Sequence, residues 1–422
     1  MSLRMFARLA AIAGIVCWTV AVTIAAMLVT RLRRGAAAAR DRRYRATVLA
    51  LQRLGPTFVK FGQIAGTRRD VLPARLCHWL GTLFDDVPPM SPAASRHALR
   101  RSQREQPALG GCLLDPRPLA SGSIASVYRA VLSDGTVVAL KLKRPGIDRR
   151  MRADLDLIRL MARLAARAPK LRGMPIADLV GYLSAAILGQ LDFEREADNS
   201  ERLRAELAGL PDVRVPLLYR GWSAADCLAF EYLPGLDVRT AASLDPQVRS
   251  RLADLLLTAV HRLFFEAGFV HCDLHPGNVY PIRDGTLVVL DAGYCVRLPD
   301  GVRAAIGEFF ARLAAGDGVR CGQIVLDSAV DAGPETDRAG FVREVAELVA
   351  RTAGPGKDFD MAVFGDGIYD LQQRYGIYAA SDFAFPLMSL LVVEGTVRGL
   401  SPDADFQRVG LPAEPLPGAA AT

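Results

Sequence analysis

Asp273 is followed five residues on by Asn278, within Val270-His271-Cys272-Asp273-Leu274-His275-Pro276-Gly277-Asn278-Val279. Thirteen residues later Asp291 ends the apolar run Leu287–Leu290 and opens Asp291-Ala292-Gly293. Two carboxylates and an amide at these separations suit phosphoryl transfer. Mg²⁺ demands hard oxygen ligands, so Asn278 and Asp291 are the candidate metal ligands, and Asp273 is the candidate catalytic group that orients an acceptor. His271 and His275, four residues apart, could suggest a second kind of metal site on a helix. Pro276 and Gly277 follow at once and forbid a helix there, so the stretch reads as a loop.

The elements that must position these groups can be read outward from them. Leu287–Leu290 reads as a buried strand that delivers Asp291. Pro246 to Gly268 is apolar-periodic through Leu252, Leu255, Leu256, Val260, Leu263 and Phe264, a helix leading into the Asp273 loop. Upstream, Pro118 to Ala130 has the rhythm of a strand, a small-residue turn and a second strand. Small side chains at Ala120, Ser121, Gly122 and Ser123, with Val127 beyond, let backbone N–H groups approach phosphates. An Asp134-Gly135 turn precedes Val137-Val138-Ala139-Leu140-Lys141, a buried strand carrying a Lys, the arrangement by which protein kinases bring an amine to the nucleotide phosphates. A Lys in an apolar run is costly unless paired, which implies a carboxylate partner. Cys227 to Gly235 reads as a strand running into a hinge, where backbone around Glu231 to Leu233 would meet the adenine.

The N-terminus carries a different signal. Leu9 to Thr30 has no formal charge and, at about 1.5 Å per residue, spans roughly 33 Å, enough to cross a bilayer. Arg31, Arg33, Arg34, Arg40, Arg42, Arg43 and Arg45 follow it, against Arg4 and Arg8 before it, so the remainder is expected in the cytoplasm. A cleaved signal peptide is the rival reading, but the run is long and ends in Thr-Arg-Leu-Arg-Arg. Gly35 to Arg45 reads as a basic connector, able to touch anionic lipid head groups or simply solvated. The net charge of +7 is concentrated there, so no nucleic-acid partner is expected. Seven scattered Cys with no C-x-x-C pair argue against a disulfide framework and suit a reducing compartment. At 422 residues and 51% hydrophobic, the chain can bury two or three domains or one large two-lobed one.

Gly55-Pro56-Thr57-Phe58-Val59-Lys60-Phe61-Gly62-Gln63 starts a helix with Lys60 and Gln63 one turn apart. On spacing alone this is a surface helix presenting an amine and an amide. Together with Arg69-Asp70-Val71-Leu72-Pro73 and Asp85-Asp86-Val87-Pro88-Pro89, however, Lys60-Phe61-Gly62-Gln63 resembles the signature of the UbiB/ADCK family of atypical protein-kinase-like proteins. His271-Cys272-Asp273-Leu274-His275-Pro276-Gly277-Asn278 resembles the same family's version of the kinase catalytic loop, and the likeness runs from about residue 48 to 405.

The resemblance implies an α+β, bilobal protein-kinase-like fold with a helical N-terminal extension, joined here to an N-terminal transmembrane helix. The expected division is 1–45 anchor and connector, 46–115 extension, 116–235 nucleotide-binding lobe with a helical insert, 236–410 helical lobe and 411–422 tail. It implies that Glu196 is the partner of Lys141, that Asp148 to Ala168 and Ala177 to Leu207 are two long helices, and that Lys60 and Gln63 overlie the substrate-docking site. It implies ATP or ADP with Mg²⁺, ATPase rather than clear protein-kinase behaviour, and a role in prenylquinone (ubiquinone-type) lipid biosynthesis, with membrane lipids, prenylquinone precursors or quinone-biosynthesis proteins as partners. Three positions depart from the family pattern. Gly122 restores a glycine to an alanine-rich turn, Gln190 replaces a carboxylate in Glu-x-Asp, and Ala292 replaces the Phe of Asp-Phe-Gly. A nucleotide-gated lipid-binding scaffold without turnover is the second reading and a conventional protein kinase the third. Further helices are expected at Val302–Ala315, Val319–Val330, Phe341–Thr352 and Phe383–Gly399; within the last, Leu387–Val393 is apolar but too short and Glu-flanked to cross a membrane, so it reads as core. Ser401-Pro402-Asp403-Ala404-Asp405 resembles the family's closing motif, and 419–422 reads as a frayed tail.

Overall fold

The computed structural model describes scattered residues between 12 and 27, then residues 42–66, 72, 74–83, 88–167, 176–237, 239–329, 335–357 and 359–406. Packing divides the chain into two compact units. The first is Met1–Arg104, Leu114–Tyr128 and Lys141–Leu191; the second is Glu105–Leu113, Arg129–Leu140 and Asp192–Thr422.

The first unit is built on helices α1 (42–54), α2 (Pro56–Ala65), α3 (Ala74–Leu80), α4 (Pro92–Glu105), α5 (Ile147–Ala165) and α6 (Ile176–Gly189). Pro56 starts α2 at a position where its missing N–H goes unused. The surface-helix reading of this segment is corrected: Thr57, Phe58, Val59, Lys60, Gly62, Ile64 and Ala65 are all buried. Val59 packs with Val48, Leu80 and Leu83, while Phe58 packs with Ile12, Leu54, Leu157 and Ile158. Gly62 allows the close approach, since a Cβ there would lie 2.6 Å from Leu83 Cδ1 and 2.9 Å from Leu51 Cδ1. A buried hydrogen bond, Thr57 Oγ1 to Asp154 Oδ2 at 2.9 Å, fixes α2 to α5.

Strands β1 (Leu113–Leu114), β2 (Ala120–Ser121), β3 (Ala125–Val131), β4 (Val137–Lys143) and β6 (Cys227–Glu231) form one five-stranded sheet, ordered β1-β3-β4-β6 with β2 on β3; β3 and β4 contribute residues to both units. The strand expected to end at Lys141 continues to Lys143. The helix expected over Ala177–Leu207 is broken into α6 and α7 (Phe193–Leu207). The apolar period continues through the break, but Asp192 Oδ1 accepts the N–H groups of Glu194 and Arg195 and starts a new helix.

The second unit holds α7 and two small sheets. One pairs β5 (Val213–Arg214) parallel to β9 (Leu287–Val289), with β8 (Val279–Pro281) antiparallel on the other side; the second pairs β7 (Phe269–His271) with β10 (Cys295–Arg297). Around them stand α8 (Thr240–Ser243), α9 (Pro246–His261), α10 (Asp300–Ala314), α11 (Gly318–Asp327), α12 (Arg338–Thr352), α13 (Met361–Tyr375) and α14 (Ser381–Leu400). The sequence reading did not include α4 or α13. It extended α9 to Gly268, where the chain instead widens into a π-turn over Arg262–Glu266.

Among the described residues, α14 is the one helix whose length and hydropathy suit a membrane span, and it is 67% buried. Phe383, Phe385, Met388, Leu390, Val393 and Val397 all lie in the core, as expected for an interior helix. Half of the apolar run Leu9–Thr30 lies outside the described residues, and an N-terminal transmembrane helix is not among the structural findings. Ile12 and Ile15, which are described, pack onto α1, α2 and α5. Residues 28–41, the Arg69–Val71, Pro73 and Asp85–Val87 positions of the family signature, and the 411–422 tail also lie outside the described residues.

Candidate active site

The Asp273 loop is shaped by its own polar groups. β7 ends at His271, whose Nδ1 accepts the Asp273 N–H at 3.2 Å, leaving Nε2 to donate to Leu290 O at 3.1 Å. Burial of this ring lowers its pKa and keeps it neutral, as both bonds require. Asn278 Nδ2 donates to Asp273 O at 2.9 Å and its backbone N–H to His275 O at 2.8 Å, closing the loop. From α14, the buried Thr396 hydroxyl donates to Leu274 O at 2.7 Å. His275 Nδ1 accepts the Gly277 N–H at 2.9 Å, so its Nε2 carries the proton and stands 3.7 Å from Asp273 Oδ1. No helix joins the two histidines: His271 ends β7, and His275 lies in the loop that follows. The sequence did not show that His275 turns its N–H toward the Asp273 carboxylate.

The second acid arrives on β9. Leu290 donates its N–H to Asn278 O at 2.9 Å, which ties the Asp291 strand to the Asn278 loop directly. Asp291 has φ 58°, the one positive φ at a non-glycine among the described residues. An L-residue held there costs about 1–2 kcal/mol. The conformation is held by the Gly293 N–H donating to Asp291 Oδ1 at 3.1 Å. Gly293 sits close against both acids: a Cβ there would stand 2.9 Å from Asp291 Oδ1 and 3.4 Å from Glu196 Oε2, so these side chains would have to shift. Glu196, 2% exposed on α7, therefore reaches the Asp291 loop. Glu194 and Glu201, on the same helix, are exposed, and Glu201 pairs with Arg220. Cys272 and Cys295 flank the two loops, but burial pushes both thiols up and makes them poor nucleophiles.

The donor set fits a hard cation. The Asn278 amide turns Nδ2 into the loop, which aims Oδ1 the opposite way, and Asp291 is exposed beyond the end of its strand. Among the described residues no three His, Cys, Asp or Glu stand together as a metal cage. Mg²⁺ needs none, since it is usually held by one or two carboxylates plus substrate phosphates.

The remaining candidates divide between the units. In the first, Ala120 pairs with Val127 and Ser121 with Ser126, and the turn is closed by Gly122 N–H to Ala125 O at 2.9 Å. The sequence missed Arg144, which donates to Gly122 O at 2.9 Å and to Ser121 Oγ and Pro88 O, both at 2.8 Å, bracing this turn. Ser123 is buried. Lys141 is half-buried, and the more deeply buried Lys143, two residues on and so on the same strand face, lies 3.5 Å from Asp148. Lys60 is 9% exposed, and Gln63 Nε2 donates to Leu83 O at 2.7 Å while its Oε1 is buried without a partner. In the second unit, the Glu231 side chain is engaged by Arg214 at 2.5 Å and the Leu217 N–H at 3.3 Å. Leu233 lies two residues beyond the end of β6. Of the sequence candidates, Asp273, Asn278, Asp291 and Glu196 are joined through the two loops; Lys141, Lys60, Gln63 and the turn belong to the first unit.

Residues 82–325 match the ABC1 atypical kinase-like domain. The chain is 31% identical over 381 residues to the "Probable protein kinase UbiB" of Azotobacter vinelandii, covering 86% of this chain and 69% of that one. It is 26% identical over 363 residues to the chloroplastic "Protein ACTIVITY OF BC1 COMPLEX KINASE 7" of Arabidopsis thaliana, covering 85% of this chain and 52% of that protein. Among solved structures, a Mycobacterium tuberculosis protein determined in complex with erythromycin superposes with a TM-score of 0.50 at 19% identity, covering 84% of this chain and 92% of that one. At that identity the likeness speaks for the fold alone.

Proposed function

Since the chain belongs to the ABC1 atypical kinase-like family, we propose that it is a membrane-anchored atypical kinase or ATPase that binds Mg–ATP and supports prenylquinone (ubiquinone-type) lipid biosynthesis. The observation that carries the reading is the bond from the Leu290 N–H to Asn278 O, which holds the Asp273–Asn278 loop and Asp291 in one assembly. In this reading Asn278 Oδ1 and the Asp291 carboxylate hold Mg²⁺ on the nucleotide phosphates. The charge developing on the transferred phosphoryl oxygens is what a cation held there neutralises. Asp273 orients the acceptor, a hydroxyl or a water, with His275 Nε2 3.7 Å from its carboxylate. Lys141 serves the α- and β-phosphates, the braced Ser121–Ser126 turn covers them, and the backbone at Leu233 meets the adenine. Glu196, Lys60 and Gln63 complete the catalytic set by family likeness.

Anchoring draws on the uncharged Leu9–Thr30 run and the seven Arg residues from Arg31 to Arg45, which keep the kinase-like part on the cytoplasmic side. Membrane lipids or prenylquinone precursors are the proposed partners, with quinone-biosynthesis proteins beside them. Only eight residues separate Asp291 from α10, which begins at Asp300, and they include the paired strand β10. That leaves little chain for the substrate-docking segment of a conventional protein kinase.

A second reading, a nucleotide-gated lipid-binding scaffold without turnover, draws on Gln190. The residue is 7% exposed and its Nε2 has no partner, so an amide stands where the family pattern has a carboxylate. Full-length protein in lipid nanodiscs separates the two. Mg²⁺-dependent ATP turnover lost in Asp291→Asn supports the enzyme, whereas nucleotide binding with zero turnover supports the scaffold.

A further inference from the structure

Ala292 removes the side chain that would otherwise wedge the metal loop against its neighbouring helix, yet the loop is not loosely held. Ala292 is itself 2% exposed, and the short helical turn it opens packs against α7. Two side chains of α7, one turn apart, reach that loop's backbone. Asn199 Nδ2 donates to Ala292 O at 3.1 Å, and Arg195 Nη2 donates to Cys295 O at 3.2 Å. Glu196 lies between them in sequence, against Gly293. The far end of the segment is pinned as well. Cys295 pairs with His271 in the β7–β10 ladder, and Cys272 donates its N–H to Tyr294 O at 2.9 Å.

We infer that Arg195 and Asn199 are positioning residues that preset the metal-binding conformation of Asp291, so that α7 and the metal loop form one rigid part rather than a switch. The inference rests on the reading of Asp291 as a metal ligand. Its physical logic is that the positive φ at Asp291 is unfavourable by itself and persists only while the carbonyls on its C-terminal side are held. A bond to a backbone carbonyl holds main-chain position, whereas a packed side chain holds it only through a rotamer. With only the short β10 strand between this loop and α10, the chain has no long segment whose ordering could assemble the site. The site is assembled once α7 has formed.

The test uses the full chain and reads binding as well as activity. Asn199→Asp keeps the shape of the side chain but replaces the N–H donor by a carboxylate facing a carbonyl. Arg195→Met removes the second donor at an exposed position, where folding is not at stake, and Arg195→Lys restores a donor. Mn²⁺ affinity is measured by electron paramagnetic resonance with a non-hydrolysable ATP analogue present. Nucleotide affinity without metal is measured by fluorescence, and backbone exchange over residues 291–295 by hydrogen–deuterium mass spectrometry. Asn199→Asp and Arg195→Met are expected to weaken Mn²⁺ binding by about 10- to 100-fold, the usual effect of losing an outer-sphere contact. Metal-free nucleotide affinity should stay within about twofold, exchange over 291–295 should accelerate, and Arg195→Lys should recover part of the loss. ATP turnover should fall in kcat at saturating Mg²⁺ with KM for ATP little changed. Wild-type Mn²⁺ affinity and wild-type exchange in both donor-removing variants would overturn the inference. If the wild-type chain itself binds no metal–nucleotide, the proposed function fails instead, an outcome distinct from the first.

Discussion

Replacing Gly293 by Ala introduces one methyl group at the point where the metal loop is most crowded. The new Cβ would stand 2.9 Å from Asp291 Oδ1 and 3.4 Å from Glu196 Oε2. Non-bonded carbon and oxygen atoms settle at about 3.4 Å or more, so the Asp291 carboxylate must retreat by roughly half an ångström. Glu196 is 2% exposed and has little room to share the displacement. A metal site tolerates changes of only about 0.2 Å in ligand distance, and Mg²⁺ is the least forgiving of the common cations about geometry. The expected consequence is a 10- to 100-fold loss in Mg²⁺ affinity, about 1.4–2.8 kcal/mol. Global stability should change little, because the entropy gained by removing a glycine, about 0.4–1 kcal/mol, works against the strain of one contact. Isothermal titration of Mg²⁺ into the complex with a non-hydrolysable ATP analogue reads the first quantity, and thermal unfolding without ligand reads the second. Wild-type Mg²⁺ affinity in a normally folded Gly293→Ala protein would refute the reasoning, since Asp291 Oδ1 would then have no part in holding the cation.

Three further outcomes follow from the same contacts. Thr57→Val removes the buried donor to Asp154, which is 1% exposed, and is expected to lower the unfolding free energy by about 1.5–3 kcal/mol in urea titration, as for lost hydrogen bonds to charged groups. Thr396→Val deletes the bond from α14 to Leu274 O and should lower kcat several-fold with KM for ATP little changed, while Thr396→Ser, which keeps the hydroxyl, should retain most of the activity. Because His271 has its pKa lowered below the ordinary 6.5, the unfolded chain takes up a proton near that pH that the folded chain refuses. Stability should therefore fall as the pH drops below 6.5, and urea unfolding at pH 7.5 and 5.5 should show a smaller loss in His271→Gln, which cannot titrate.

What the sequence disclosed and what it concealed divide along a physical line. Asp273, Asn278 and Asp291 were legible as candidates because the pattern depends on residue type and short separations, and the Leu290 N–H to Asn278 O bond joins the two segments that carry them. The strand before Asp291 was legible because Leu287–Val289 is buried on every face and so is uniformly apolar. Arg195, Asn199 and Arg144 were not, because each of them donates to backbone carbonyls, and every residue offers an identical carbonyl whatever its side chain. His275 was visible as a loop residue, but its tautomer is set by the Gly277 N–H, which also leaves no trace in residue type. The break between α6 and α7 was hidden by an apolar period that runs through Leu191 and Phe193; the overlooked cue was Asp192, a cap residue inside the run. The family motif around Lys60 was identified correctly as a pattern, yet spacing alone made it a surface helix. The structure shows why it is buried: Gly62 lets α2 press against Leu51 and Leu83.

The account depends most on Asp291 acting with Asn278 as a Mg²⁺ ligand for a bound nucleotide. The direct measurement is ATP binding and turnover by the full-length protein in nanodiscs, with and without Mg²⁺, for the wild type and Asp291→Asn. The account predicts Mg²⁺-dependent binding and turnover in the wild type, and in the variant a loss of Mg²⁺ dependence with turnover reduced at least 100-fold, about 2.8 kcal/mol in the barrier. Equal turnover in the two proteins at every Mg²⁺ concentration would contradict it.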